Sequence, residues 1–381
     1  MDFDFNDEQY LFRDTVRQFL TDHFPGPQPE APRPCAETVK TLWSGLAELG
    51  IFSLLVPESY GGLGLTLVDL ALVLEEFGRS LIPPRVVDTL VATDVIVRFG
   101  TSEQQARLLP QIAAGRSSVA IAICEPNARY SMADLTTVLT PSEGGSCLNG
   151  VKMLVPDALA ADKLLIVCRF AEGRGAVDGC GLVIVDRDRR GIIFREQQTL
   201  DPACPYFEVG LRNVEVAGGE LLGGGAVAAA AGRLFDASAF AAATVMTGVA
   251  AKVLDTTVDY VKQRTQFGKA IGSFQAIKHR CADMLVAVDS SRSAAYYAAW
   301  ALANDAPGRS SGVSIAKSFC GDSARFVCNE GIQLHGGMGF TWDLGLHFYL
   351  RRVKTLEYSF GDATFHRQRL LAETLRGLQC A

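Results

Sequence analysis

The sequence has no surplus of positive charge. Its 36 Lys and Arg stand against 42 Asp and Glu, a formal net charge of −6. That leaves no basic footprint for a phosphate backbone, so nucleic acid is not an expected partner. No apolar run approaches the roughly 20 residues of a membrane-crossing helix, because the alanine-rich stretch after Ala226 is cut by Arg233 and Asp236. The opening MDFDFNDEQY is acidic where a secretory signal is basic and then apolar, so no export signal is expected. Ten cysteines are present, widely spaced and without a C-x-x-C pair. Neither a disulfide framework nor a metal site is expected, and free thiols in a reducing cytoplasm fit best. No internal repeat is evident.

What is there is a globular balance: 381 residues, 48% hydrophobic and 20% charged, enough for two or three subdomains sharing a core. Asn6 or Asp7 caps an amphipathic first helix that ends at the cluster Pro25, Pro27, Pro29, Pro32 and Pro34. Helical periodicity returns at Thr38–Leu49, Leu67–Phe77 and Asp88–Phe99, and Ser102 caps another helix closing at Gly115. Then the texture changes. SVAIAIC, TTVLT, VKMLVP, KLLIVCRF, GLVIVDRD, GIIFRE and YFEVGLRNVEV are short, β-branched runs separated by turn residues, with SEGGSCLNG as a hairpin connection. They predict a small, mostly antiparallel sheet. After GELLGGGA long helices are expected at Asp236–Gln263, Ala276–Leu302, Val313–Leu334 and Phe365–Leu378. The fold class is therefore α+β, mainly α: a helical domain over 1–115, a sheet domain over 116–228 and a helical bundle over 229–381.

Two segments carry chemistry. RTQFGKAIGSFQ, Arg264 to Gln275, puts a guanidinium, an aromatic ring and two glycines on a tight connection beside a helix start, a workable phosphate cradle or a plain interhelical turn. QLHGGMGF, Gln333 to Phe340, ends another long helix with three glycines in four positions, which lets a ligand approach the backbone. His335 within it is read as a nucleotide neighbour or packing residue; neither it nor His366 has metal-like company.

These segments, with LAELGIFSLLVPESYGGLGLTLVDLALVLEEFGRSL, FGTSEQQARLLPQIAAG, AIAICEP, LNGVKM and QLHGGMGFTWDLGLHFYLRR, resemble the acyl-CoA dehydrogenase family over the whole length. The resemblance implies a helical domain, a β domain and a four-helix bundle assembled as a dimer of dimers. It implies FAD, whose ADP half is reached by residues lent from a neighbouring subunit; Arg264, Phe267, Gln275, Gln333, Gly336 and Gly337 match that lent half. It also implies an electron-transferring flavoprotein as acceptor.

The reaction of that family needs a carboxylate base over the substrate α-carbon. Its two usual glutamate positions hold Phe360 and Ser238 here, and neither side chain can serve, so no catalytic residue is assigned. Other family elements are altered alongside. Cys124-Glu125-Pro126 replaces Thr-Glu-Pro, Asn127-Ala128-Arg129-Tyr130-Ser131 replaces a Gly-Ser-Asp loop, and Leu154 and Pro156 occupy an aromatic-x-Thr element. Asp362 stands for a threonine, and Ala239 for an arginine. The lent half is kept and the self-serving half eroded. That one-sidedness suggests the non-catalytic subunit of an α2β2 heterotetramer, whose homologous partner brings the glutamate; such members are associated with bulky CoA thioesters, including steroid side chains. One alternative is a self-sufficient enzyme with a relocated base among Glu357, Asp362 and Asp236, although the first two read as surface or ion-pair residues near Arg351, Arg352 and Lys354, and the third as a helix cap. The other is a scaffold with no part in a flavin site.

Overall fold

The computed structural model describes residues 5–127, 130–142, 145–171, 179–223 and 227–379. The first helix, α1 (Asp7–His23), starts at Asn6, whose side chain accepts from the Gln9 N–H while Gln9 reaches back to the Asn6 N–H. Helices α2 (Ala36–Glu48), α3 (Leu67–Ser80), α4 (Pro84–Phe99) and α5 (Ser102–Ala113) follow. Helix α4 begins a turn earlier than Asp88, because Pro84 supplies a preset φ in its first turn. The cap of α5 is Thr101, paired with Gln104, rather than Ser102.

All seven β-branched runs become strands: β1 (Val119–Ala122), β2 (Val138–Ser142), β3 (Gly145–Pro156), β4 (Lys163–Phe170), β5 (Cys180–Asp186), β6 (Ile192–Gln197) and β7 (Tyr206–Val216). They form one sheet in the order β1-β4-β2-β3-β7-β6, with β5 also on β4. The pairings β2–β3, β3–β7, β6–β7 and β4–β5 are antiparallel, whereas β1 and β2 both lie parallel to β4. The expected SEGGSCLNG connection is a hairpin pairing Ser142 with Gly145, its tip at 143–144 lying outside the described residues. Along β4, Leu165 and Val167 turn toward the helices while Leu164, Ile166 and Cys168 enter a second core on the other face.

The C-terminal part is α6 (Val227–Gln263), a two-residue-strand hairpin of β8 (Thr265–Gln266) and β9 (Lys269–Ala270), then α7 (Gln275–Ala303), α8 (Arg309–His335), α9 (Leu346–Tyr358) and α10 (Ala363–Gln379). The glycine run at 224–226 lies outside the described residues. Contrary to the reading of the bare sequence, α6 is long and apolar enough to cross a membrane by composition; 94% of its most apolar 18-residue window is buried inside the fold. Since α6 already runs from Val227, Asp236 is not a cap. It sits inside the helix, bonded to Ser310 Oγ and paired with Arg369 at 2.6 Å.

The alanines and glycines of α6 make it the hub. A Cβ on Gly248 would lie 1.9 Å from the Glu75 carbonyl oxygen, and one on Gly78 would lie 2.0 Å from that of Val245. Helices α3 and α6 therefore cross backbone to backbone, and only glycine permits it. One continuous core runs from Val16 through Phe77, Phe240 and Met246 to Phe348. It fixes the relation between the sheet edge and α9–α10, where the cleft opens.

Candidate functional site

A cleft of about 1060 Å³ separates the ends of β1 and β3 from α9 and α10; Cys124, Leu154, Pro156, Tyr358, Phe360 and Asp362 are among its walls. Behind it lies a second chamber of about 60 Å³. The two share Leu154, Pro156, Tyr206, Ser359 and Phe360. Both positions where a glutamate is usual, Phe360 and Ser238, face this one chamber. They arrive from different helices: Ser238 from α6, Phe360 from the turn after α9. Ser238 is 3% exposed and its Oγ has no hydrogen-bond partner.

The Phe360 turn is tightly held. Phe360 (φ 56°) and Gly361 (φ 98°) are both left-handed, and a Cβ on Gly361 would fall 2.6 Å from the Phe365 ring and 2.7 Å from His366 Nε2. Buried Lys317 donates to the Glu357 and Gly361 carbonyls at 3.0 and 2.8 Å, and His366 Nε2 meets the Phe360 carbonyl at 2.9 Å. Burial pushes the Lys317 ammonium down to about 7, and burial with Lys317 nearby takes His366 down to about 4. His366 is thus a neutral clamp on the turn.

On the sheet side, Glu125 and Lys152 form an ion pair with neither side chain exposed, 2.7 Å apart. Glu125 also accepts from the N–H and Oγ1 of Thr136 at 2.5 and 2.7 Å and from the N–H of Thr137 at 3.1 Å. Burial raises its carboxyl, but Lys152 and the threonine donors outweigh burial and hold it at about 2. This knot fixes Cys124 and Pro126 at the cleft; of the loop that follows, 128–129 lie outside the described residues. Leu154 sits at φ 53° in a bulge of β3, its N–H taken by Gln197 Oε1 at 2.8 Å. Pro156 has no N–H to offer.

Of the three relocated carboxylates weighed above, only Asp362 lines the cleft, and its Oδ1 caps α10 by accepting from the Phe365 N–H at 2.8 Å. Glu357 is an ion-pair residue as expected, with Lys354 and also with Arg325, but it is buried and not at the surface. Asp236 lines neither space. Ala239, where an arginine is usual, is fully buried in α6.

None of Arg264, Phe267, Gln275, Gln333, Gly336 and Gly337 lines the cleft. The structure instead gathers them at one end of the bundle, all exposed. Phe267 and Gly268, both at positive φ, form the two-residue loop of the β8–β9 hairpin, which leaves the Phe267 ring 91% exposed. Gln333 is in the last turn of α8, and a Cβ on Gly336 or Gly337 would meet nothing within 4 Å. Tyr260 joins the two segments: its ring stacks on His335 at 4.2 Å and its hydroxyl donates to the His335 carbonyl at 3.4 Å. His335 is therefore a packing residue.

Sequence reasoning missed Asp88, a wall of the rear chamber. It stands at the expected start of α4, and nothing in one sequence marks it as buried. Its Oδ2 accepts from the Ile121 N–H at 3.0 Å, and burial raises its carboxyl to about 8. Arg352, also in that wall, is tied to Asp201 and to the Ile82 carbonyl.

Family models describe the same architecture: acyl-CoA dehydrogenase, N-terminal domain, matches residues 6–116, and acyl-CoA dehydrogenase, C-terminal domain, matches 224–375. An acyl-CoA dehydrogenase of Bacillus subtilis is 30% identical, covering 94% of this chain and 96% of its own. The solved butyryl-CoA dehydrogenase of Megasphaera elsdenii superposes with a TM-score of 0.90 at 25% identity, over 98% of this chain and all of that one. A variant of the steroid ACAD Tcur3481-Tcur3483 does so with a TM-score of 0.87 at 30% identity, over 98% of this chain and 99% of that one. On the fold, the two matched domains and the shared identity over nearly its whole length, this chain belongs to the acyl-CoA dehydrogenase family.

Proposed function

We propose that the chain is the base-lacking subunit of a heteromeric, FAD-dependent acyl-CoA dehydrogenase that desaturates a bulky CoA thioester. One observation carries the reading: Ser238 and Phe360 converge on a single chamber, so both places from which a base reaches the substrate are vacant of carboxylate together. The outward-facing cluster supports the other half. Arg264 has a free guanidinium among the described residues, the Phe267 tip projects, and Gly336 and Gly337 leave open backbone, a set that suits the diphosphate and adenosine end of a dinucleotide held by a neighbour.

The chain's own cleft fits a flavin ring poorly. The Leu154 N–H is already bonded, Pro156 has none, and Asp362 brings negative charge. The chemistry FAD supplies when bound is acceptance of the β-hydrogen as hydride. This chain would anchor the far end of that cofactor, while a homologous partner takes the α-proton on its glutamate. The likeness to the steroid ACAD designated by two components supports both a two-chain assembly and a bulky acyl group. An electron-transferring flavoprotein is the matching acceptor class, and a cytoplasmic site suits the thiol-rich composition.

The test is co-expression with homologous chains. An equimolar assembly with one FAD per two chains, yellow and active where this chain alone is colourless, is the expected result. Full flavin occupancy and thioester oxidation by this chain alone would overturn it. Asp362 at the cleft wall favours a second reading, the relocated base; Asp362→Asn would then abolish turnover of the isolated chain, whereas the subunit reading expects no turnover to lose.

A further inference from the structure

The connection between α8 and α9, residues 336–345, carries Gly336 and Gly337 and exposes much of Met338, Phe340 and Trp342. It is a short 3₁₀ turn, Gly336–Phe340, followed by a loop. Its backbone bonds stay local: the Thr341 N–H donates to the Met338 carbonyl at 3.2 Å, and the Gly345 N–H to that of Trp342 at 3.0 Å. Each end of the connection is flanked by a histidine packed into the bundle.

His335 immediately precedes it. This residue is 2% exposed, stacks on Tyr260 of α6, and has its Nδ1 2.7 Å from the Gly331 carbonyl. A carbonyl only accepts, so Nδ1 carries the proton and Nε2 is the bare acceptor. That Nε2 is buried with no hydrogen-bond partner. His347, the second residue of α9, lies two positions beyond the connection. Its ring sits edge-on to Trp342 at 4.6 Å and 4.2 Å from Phe348, and both its nitrogens are buried without partners.

A neutral imidazole tolerates such a place; an imidazolium does not. A second ring proton on His335 would point at no acceptor, and a charged His347 would seal two N–H donors away from water. Tyr260 is the titratable neighbour of His335, and the charge acting on His347 is that of Arg351, which repels a cation. No carboxylate among the described residues acts on either ring. Burial accordingly lowers both from the ordinary 6.5.

We propose that His335 and His347 form an acid-sensitive clasp on residues 336–345: neutral, they pin both ends to the bundle; protonated, they release the connection with Gly336 and Gly337. The opening belongs to this chain alone. Its use, withdrawing open backbone from a cofactor held by a neighbour, rests on the subunit reading. A released ring regains its ordinary value, so the open form gains as pH falls below 6.5 and gains nothing above it. Between about pH 7.5 and about pH 5.5 each freed ring favours opening by about tenfold, and the two together by about a hundredfold.

The experiment is hydrogen exchange read by mass spectrometry on the full chain at those two pH values. Labelling times are scaled to the intrinsic rate, and α6 amides serve as the reference. Protection over 336–345 is expected to fall about a hundredfold more than that of α6. His347→Phe keeps an aromatic ring but cannot titrate, so it should shrink the fall by about tenfold. Adding His335→Asn, whose amide can still donate to the Gly331 carbonyl, should abolish it. Where the double variant fails to fold, His347→Phe alone decides. Protection unmoved by pH in the native chain, or a fall equal in His347→Phe, overturns the proposal. A chain found to hold FAD by itself would sink the subunit reading and leave the exchange result as it is.

Discussion

Replacing Glu125 by Gln tests how the sheet side of the cleft is held. The substitution keeps the shape and one acceptor oxygen but deletes the charge facing Lys152, whose side chain is fully buried. Its remaining contact is the Ile123 carbonyl at 3.3 Å. Breaking a buried pair this way costs about 3–5 kcal/mol, because an uncompensated ammonium is left in low dielectric. The converse change is milder. Lys152→Met leaves Glu125 still accepting from three threonine donors, so about 2 kcal/mol is expected, in the range for a charged hydrogen bond lost. The pH dependence has a fixed sign. The Glu125 carboxyl is depressed from 4.5 to about 2, so its contribution is present above pH 4.5 and is lost as pH falls toward 2; Glu125→Gln removes that acid limb. Urea midpoints followed by circular dichroism at neutral and acid pH measure all three. A Lys152→Met loss larger than that of Glu125→Gln, or an unchanged acid limb, would refute the reasoning.

Asp88→Asn should show the opposite pH behaviour. The native carboxyl is raised from 3.8 to about 8, so its stabilising protonation is complete below 3.8 and is lost as pH rises through 8. Urea midpoints should therefore favour the Asn variant increasingly as pH rises from about 4 to about 8 and level off above that, and parallel curves across this window would count against a neutral Asp88. Gly248→Ala drives a methyl against the Glu75 carbonyl and should cost about 1–3 kcal/mol in thermal unfolding; a neutral result would mean that α3 and α6 can separate freely. Arg264→Ala, at an exposed side chain with no partner among the described residues, should leave folding intact. In the co-purified assembly it should weaken FAD binding about tenfold or more, and unchanged flavin affinity would favour the scaffold reading.

Much of the architecture was legible because periodicity carries it. Seven β-branched runs became seven strands, and the long C-terminal helices lie within a turn of their expected ends apart from the early start of α6. The two parallel pairings onto β4 were not legible, since nothing local distinguishes a strand that finds a parallel neighbour. Helix α9 is not among the helices expected from the sequence; its buried apolar positions Leu346, Phe348, Val353 and Leu356 are interleaved with Arg351, Arg352, Lys354 and Glu357. At the site, the identities of Ser238 and Phe360 could be read, but their convergence could not, because it arises from two helices distant in sequence. Asp88, the Glu125–Lys152 pair and the burial of Glu357 are properties of tertiary surroundings: a carboxylate looks the same on paper whether water or phenylalanine surrounds it.

The backbone crossing at Gly78 and Gly248 has a consequence for dissection of this protein. Helix α6 has the length and apolar make-up of a bilayer span, and the N-terminal helices α3 and α4 wrap it together with the rest of the bundle. A truncation that removed α1 to α5 would strip that wrapping and present a greasy rod to water, so the fragment would demand detergent or precipitate. The N-terminal third thus acts, through α3 and α4, as a built-in solubiliser for the longest helix of the fold.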